Sequence, residues 1–197
     1  MPRAPATGPL HQLVIQTSFL GDTVLTTPLI ASLAQRGPVD VVVAPASAPL
    51  LANNPDVRTL FVYDKRGADA GVRGFRRLVT SLRAPDGAPA VAYLAQRSVR
   101  SGALALAAGY AERVGFEGSA GATLYTHRVP YREDRHHAER LWRLANDDAL
   151  TVTPSDRALR PRLFPGEAER RAVDAVVGAE DGRPMVALAP GSVWATK

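Results

Sequence analysis

Short β-rich apolar runs alternate along this chain with longer stretches whose apolar residues recur every three or four positions. Glycine or proline marks most of the joints. The first run, Leu13-Val14-Ile15, turns polar at Gln16-Thr17-Ser18, and Gly21-Asp22 and Thr23 follow before the apolar residues resume. This predicts a strand over 11–17, a loop, and a helix with Leu29, Ile30, Leu33 and Ala34 inward, ended by Gly37-Pro38. Two helix starts are compatible with the residues. Asp22 as N-cap makes Pro28 an interior proline, whereas Thr27 as N-cap makes Pro28 the first helical residue and leaves 21–26 as a separate turn.

The continuous β-branched run at 39–44 predicts a strand buried on both faces. A short helix over 47–52, turn chemistry at Asn53-Asn54-Pro55-Asp56 and a strand over 57–63 come next. Over 71–84 the spacing predicts an amphipathic helix with Val72, Phe75, Leu78, Val79 and Leu82 inward and Arg73, Arg76, Arg77 and Arg83 outward. Further strands are expected at Ala90–Leu94 and 113–116, an extended piece at 124–129, and helices at 101–108, 134–146 and Glu167–Val177. A Pro/Arg-rich connector covers 154–165, and 185–189 reads as one more buried strand. The rhythm is that of a doubly wound, mostly parallel α/β sheet. Such sheets bind ligands at the carboxyl ends of their strands, which puts Asp22 at the crevice.

Composition narrows the chemistry. The chain has 197 residues, 46% of them hydrophobic, no cysteine and a net charge of +5. It can bury a sizeable core, and disulfide and thiolate chemistry are excluded. The basic balance favours anionic partners. Residues 1–9 are Pro- and Ala-rich, without the apolar segment of a signal peptide, and no run is long enough for a membrane span. The expectation is a soluble cytoplasmic protein, with peripheral contact at the membrane surface. Nucleic acid is not an expected partner, because the basic residues are not interleaved with aromatics. Dinucleotide, P-loop, serine-hydrolase and HExxH motifs are absent. No Asp-x-Asp pair offers a metal grip, and adjacent His136-His137 point about 100° apart on a helix. They are expected to sit at a solvated helix end, and no metal site is predicted.

With those residues in view, a resemblance emerges. Phe19-Leu20-Gly21-Asp22-Thr23-Val24-Leu25-Thr26-Thr27-Pro28 resembles the opening motif of the ADP-heptose:lipopolysaccharide heptosyltransferases, glycosyltransferase family 9. Asn54-Pro55-Asp56-Val57, Tyr63-Asp64-Lys65-Arg66-Gly67, Arg97-Ser98-Val99-Arg100-Ser101, Arg113-Val114-Gly115-Phe116 and His137-Ala138-Glu139-Arg140 are similar to later blocks, in the right order. Pro190-Gly191-Ser192 with Thr196-Lys197 resembles the start of the donor-binding domain. Within the family the likeness is greatest to the heptosyltransferase II type. It implies a Rossmann-like sheet as the N-terminal half of a GT-B glycosyltransferase. The implied division is an acceptor-binding domain over 1–165, followed over 166–197 by a linker helix and the first strand of an incomplete donor-binding domain.

The resemblance also implies a function. An inverting, metal-independent enzyme would transfer heptose from ADP-heptose, a donor substrate rather than a cofactor, to the phosphorylated inner core of lipopolysaccharide at the inner membrane. A chain of this extent would be inactive by itself. Asp22 matches the family's catalytic base; the alternative from the residues alone is a helix N-cap. Thr23 and Thr26 are candidate acceptor contacts or ordinary caps. Lys65, Arg66, Arg97 and Arg100 are candidate acceptor-binding cations or a solvated charged face. Ser192, Thr196 and Lys197 match the donor-diphosphate region. A transferase for another anionic glycan and a non-catalytic module binding anionic glycolipid are the competing readings.

Overall fold

A computed structural model describes residues 10–84, 89–146 and 153–178, together with Val186 and Leu188. The strands are β1 (His11–Gln16), β2 (Val39–Val43), β3 (Thr59–Val62), β4 (Ala90–Leu94), β5 (Glu112–Phe116) and β6 (His127–Val129). The helices are α1 (Leu20–Ala34), α2 (Ala48–Leu51), α3 (Gly71–Ser81), α4 (Val99–Ala107), α5 (His137–Arg143), α6 (Asp156–Leu159) and α7 (Glu167–Val177). The strands form one sheet in the order β3-β2-β1-β4-β5-β6, every neighbouring pair parallel. The chain winds outward one way from β1 to β3, then returns to start again at β4. The carboxyl ends of β1 and β4 therefore flank the point where the winding reverses, the place where sheets of this kind bind ligands.

The pleat explains why the inner strands read as unbroken apolar runs. Leu13 and Ile15 face a core layer with Val42, Leu78, Leu94 and Leu104, while Val14 faces the opposite layer with Leu29, Leu33, Val41 and Leu141. The chain divides into two compact units, 1–164 and 165–197; α7 belongs to the second.

Several local expectations need correction. The α1 helix starts at Leu20 with Phe19 as its N-cap, so Asp22 lies in its first turn and Pro28 is interior. An interior proline leaves the carbonyl four residues back without its N–H partner. Here that carbonyl belongs to Val24, and the Thr27 hydroxyl donates to it at 2.8 Å. Val72, expected inward, is 73% exposed, because α3 turns Gly74 and Leu78 to the sheet instead. The piece at 124–129 divides into a 3₁₀ turn and β6. The 154–165 connector contains α6, whose N-cap Ser155 accepts from the Ala158 N–H. Of the strand expected at 185–189 only Val186 and Leu188 are described.

Gly115 shows how closely the second layer is packed. A Cβ built there would lie 2.4 Å from the ring of Tyr125, itself buried among Leu94, Leu104 and Ala105. Gly115→Ala is expected to cost about 1–3 kcal/mol through overpacking. A urea midpoint that stays at the parent value would refute this contact as a constraint.

Candidate functional site

The reversal point is built from the residues that end β1. Gln16 is buried, and its Nε2 donates to Thr26 Oγ1 at 3.1 Å. Its Oε1 accepts from the Ser18 backbone N–H at 3.3 Å and lies 2.5 Å from Ser18 Oγ. Ser18 Oγ is also 2.8 Å from Asp22 Oδ2. A chain of polar groups thus runs from the sheet to the Asp22 carboxylate, which remains 33% exposed. An acidic side chain in a first helical turn is further favoured by the helix dipole.

Thr17 organises the neighbouring side. Gln96, just beyond β4, donates through Nε2 to Thr17 Oγ1 at 2.8 Å and accepts from the Thr17 N–H at 3.2 Å. This cross-link ties the two loops together at the reversal of winding. Lys65 Nζ donates to the Thr17 carbonyl at 3.0 Å, and Arg100 stands over the Tyr63 ring at 6.0 Å. Lys65, Arg100, Tyr63, Gln96 and Ser101 line one small cavity of about 10 Å³, room for a single water. Burial, and then the charges of Arg66 and Arg100, lower the Lys65 pKa from its usual value. Lys65, Arg66 and Arg100 therefore form one group of cations, with Arg66 exposed.

Arg97 belongs to a second group. It donates to the Gly118 carbonyl at 2.7 Å and lies 4.9 Å from the Tyr131 ring centre. Arg140 of α5 stands over the same ring at 4.5 Å, and Phe116 meets it edge-on. Two guanidinium groups on one aromatic ring make a fixed concentration of positive charge. The four candidate cations are thus divided, because the segments after β5 and β6 hold Arg97 on their own side. Among the described residues neither Lys65 nor Arg97 forms an ion pair with Asp22.

Two expected ligand contacts are corrected. Thr23 and Thr26 are 0% and 1% exposed, and their hydroxyls bond inward. Thr23 Oγ1 pairs with Ser47 Oγ at 3.0 Å, and Thr26 Oγ1 donates to the Asp22 carbonyl at 2.7 Å. The three threonines of the opening motif hold α1 to its surroundings instead of facing a ligand. Ser192, Thr196 and Lys197 lie outside the described residues.

Sequence reasoning missed Gln16, Ser18, Gln96, Arg140 and His137. The first three follow directly on apolar strands, a signal that was present but outweighed by the charged residues beside them. The helix expected over 134–146 starts only at His137. His136 is its N-cap, accepting from the Ala138 N–H through Nδ1 at 3.3 Å. His137 is not at a solvated helix end: it is partly buried, with Nε2 3.7 Å from Asp22 Oδ1. Its pKa is lowered by burial; the Asp22 charge opposes this, while Arg140 and His136 add to it. The unfolded chain thus binds this proton more readily than the folded one. His137 contributes a loss of stability as pH falls from about 6.5 through its folded pKa, and none above that window. His137→Gln is expected to flatten the dependence of unfolding free energy on pH between 7 and 5, measured by urea titration at each pH.

Among the described residues no group of three His, Asp or Glu side chains could hold a metal ion, and no helix is long and apolar enough to cross a membrane. A roomier cavity of about 270 Å³ lies along α1, lined by Pro28, Arg36, Trp142, Arg160 and Phe164. It does not include the polar chain that ends at Asp22.

No protein-family model matches the chain, and no curated protein does. Solved structures do match. A family 9 glycosyl transferase from Veillonella parvula superposes with a TM-score of 0.72 at 17% identity, over 91% of this chain and 55% of its own. The ADP-heptose LPS heptosyltransferase II of E. coli gives 0.65 at 23% identity, over 88% of this chain and 52% of its own. The E. coli heptosyltransferase WaaC, solved with ADP-2-deoxy-2-fluoro heptose, gives 0.59 at 19% identity, over 74% and 50%. The chain has the α/β fold of these GT-B glycosyltransferases and spans about half the length of each.

Proposed function

We propose that this chain is the acceptor-holding half of an inverting, metal-independent glycosyltransferase that moves heptose from ADP-heptose to the phosphorylated inner core of lipopolysaccharide. The observation that carries this reading is the Asp22 carboxylate. It is partly exposed at the reversal of the sheet winding, engaged by Ser18, with cations supplied by the strand-end loops on either side. Lys65, Arg66 and Arg100 on one side, and Arg97 with Arg140 on the other, suit the phosphate and carboxylate groups of such an acceptor. Exposed Arg73 and Arg76 on α3 suit an anionic bilayer, consistent with action at the cytoplasmic face of the inner membrane.

In this reading Asp22 takes the proton of the acceptor hydroxyl as that oxygen attacks the anomeric carbon. The new C–O bond forms opposite the leaving group, the bond from the anomeric carbon to the diphosphate oxygen breaks, and ADP leaves with the electron pair. Ser192, Thr196 and Lys197 are proposed to meet the donor diphosphate.

The test uses the polypeptide of the complete reading frame, given ADP-heptose and heptose-deficient lipopolysaccharide core. Release of ADP, with one heptose added to the acceptor, is the expected result. Transfer confined to another sugar or another anionic glycan would overturn the heptose assignment and leave the transferase. Tight core binding without turnover of any nucleotide sugar would overturn the transferase as well.

A further inference from the structure

We propose that His137 is a positioning residue for Asp22: its Nε2–H is aimed at Oδ1 and, with the Ser18 hydroxyl at Oδ2, fixes the carboxylate plane against the acceptor. The proposal rests on the reading that Asp22 accepts the acceptor proton.

Donor protons are short around the Asp22 carboxylate. The Ser18 hydroxyl has one hydrogen and two acceptors in range, Gln16 Oε1 at 2.5 Å and Asp22 Oδ2 at 2.8 Å. It cannot hold both at once, so it fixes the Asp22 rotamer only part of the time. A second donor on the other oxygen removes that freedom. His137 Nε2 lies 3.7 Å from Oδ1, beyond hydrogen-bond length, and such contacts are commonly long in unliganded sites and tighten with substrate. With a bare lone pair on Nε2, two acceptors would face each other; the Nε2–H tautomer removes the repulsion.

The placement of the ring is fixed by packing. Ala138 and Leu141 are buried, Leu141 in the core layer that α1 shares, so α5 cannot rotate His137 away without exposing them. His136 performs the capping, which leaves the His137 ring for Asp22.

The charged groups around the ring are Asp22 from α1, Arg140 from α5 and His136 at the α5 N-cap. Together with burial, Arg140 and His136 favour the neutral imidazole. A neutral donor orients a carboxylate without cancelling its charge. A lysine or arginine there would pair with Asp22 and weaken it as a base.

The pair can be read in the 197-residue chain by long-range ¹H–¹⁵N correlation of the four imidazoles, with the His137 signal assigned by its loss in His137→Gln. We expect the Nε2–H tautomer at pH 7. In Asp22→Asn the His137 titration midpoint should fall. An Nδ1–H tautomer, or a midpoint indifferent to Asp22→Asn, overturns the proposal whatever the protein's activity. In the complete polypeptide, His137→Leu should lower kcat about tenfold to a hundredfold with KM little changed. His137→Gln, whose amide N–H reaches toward the place of Nε2–H, should restore most of it. An unchanged kcat in a folded His137→Leu overturns the positioning role. If the unmodified polypeptide transfers nothing, the transferase reading fails, and the imidazole spectra still decide the pair.

Discussion

Asp22→Asn is expected to reduce the proposed sugar transfer about 10²–10⁴-fold while leaving the fold intact. The substitution keeps the side-chain volume and the contact with Ser18, but an amide cannot take a proton from an attacking hydroxyl. That range corresponds to roughly 3–5 kcal/mol of transition-state stabilisation, which separates it from a packing defect. The stability cost should be small. Asp22 is partly exposed, and its interaction with the helix dipole is worth about 0.3–1 kcal/mol. Turnover and urea unfolding measured on the same preparation distinguish the two effects. Turnover within threefold of the parent would remove Asp22 from the chemistry. A collapse of turnover matched by a collapse of stability would make it a structural residue.

The largest expected effect on stability comes from Leu29→Ala. Leu29 is fully buried on the inner face of α1, packed with Val14, Val41 and Leu141. Truncation removes transfer free energy and leaves a cavity that a sheet bounded by β-branched side chains closes poorly. The expected loss is about 2–5 kcal/mol, a large fraction of a typical domain's stability. Val72→Ala is the control. The amphipathic pattern of 71–84 places Val72 inward, the structure leaves it exposed, and its truncation should cost less than about 0.5 kcal/mol. Equal losses in the two variants, read as shifts of the urea midpoint, would contradict the described packing of both helices.

Those two variants also show what could be read along the chain. Apolar runs such as 39–44 announce a strand buried on both faces, because only a parallel sheet covered by helices on each side hides them. Their alternation with helical spacing fixed the α/β class, and the Gly-Asp pair after the first run put a carboxylate where the first strand passes into its helix. These are properties of residues near one another in sequence. Pro28 marks where local reasoning ended: two helix starts fit its neighbours equally. The structure selected the interior proline, where the Thr27 hydroxyl supplies the donor that Val24 lacks.

The site itself was divided between the two levels. The residues singled out Asp22 and the cations Lys65, Arg66, Arg97 and Arg100 as candidates. Only tertiary structure turned Thr23 and Thr26 inward, separated Arg97 from Lys65, and brought His137 of α5 to Asp22 of α1. The physical reason is range. Periodicity states which face of a segment is apolar, whereas the partner that covers that face, and the polar side chains at its border, come from elements distant in sequence. Their meeting is determined by the packing of the whole sheet.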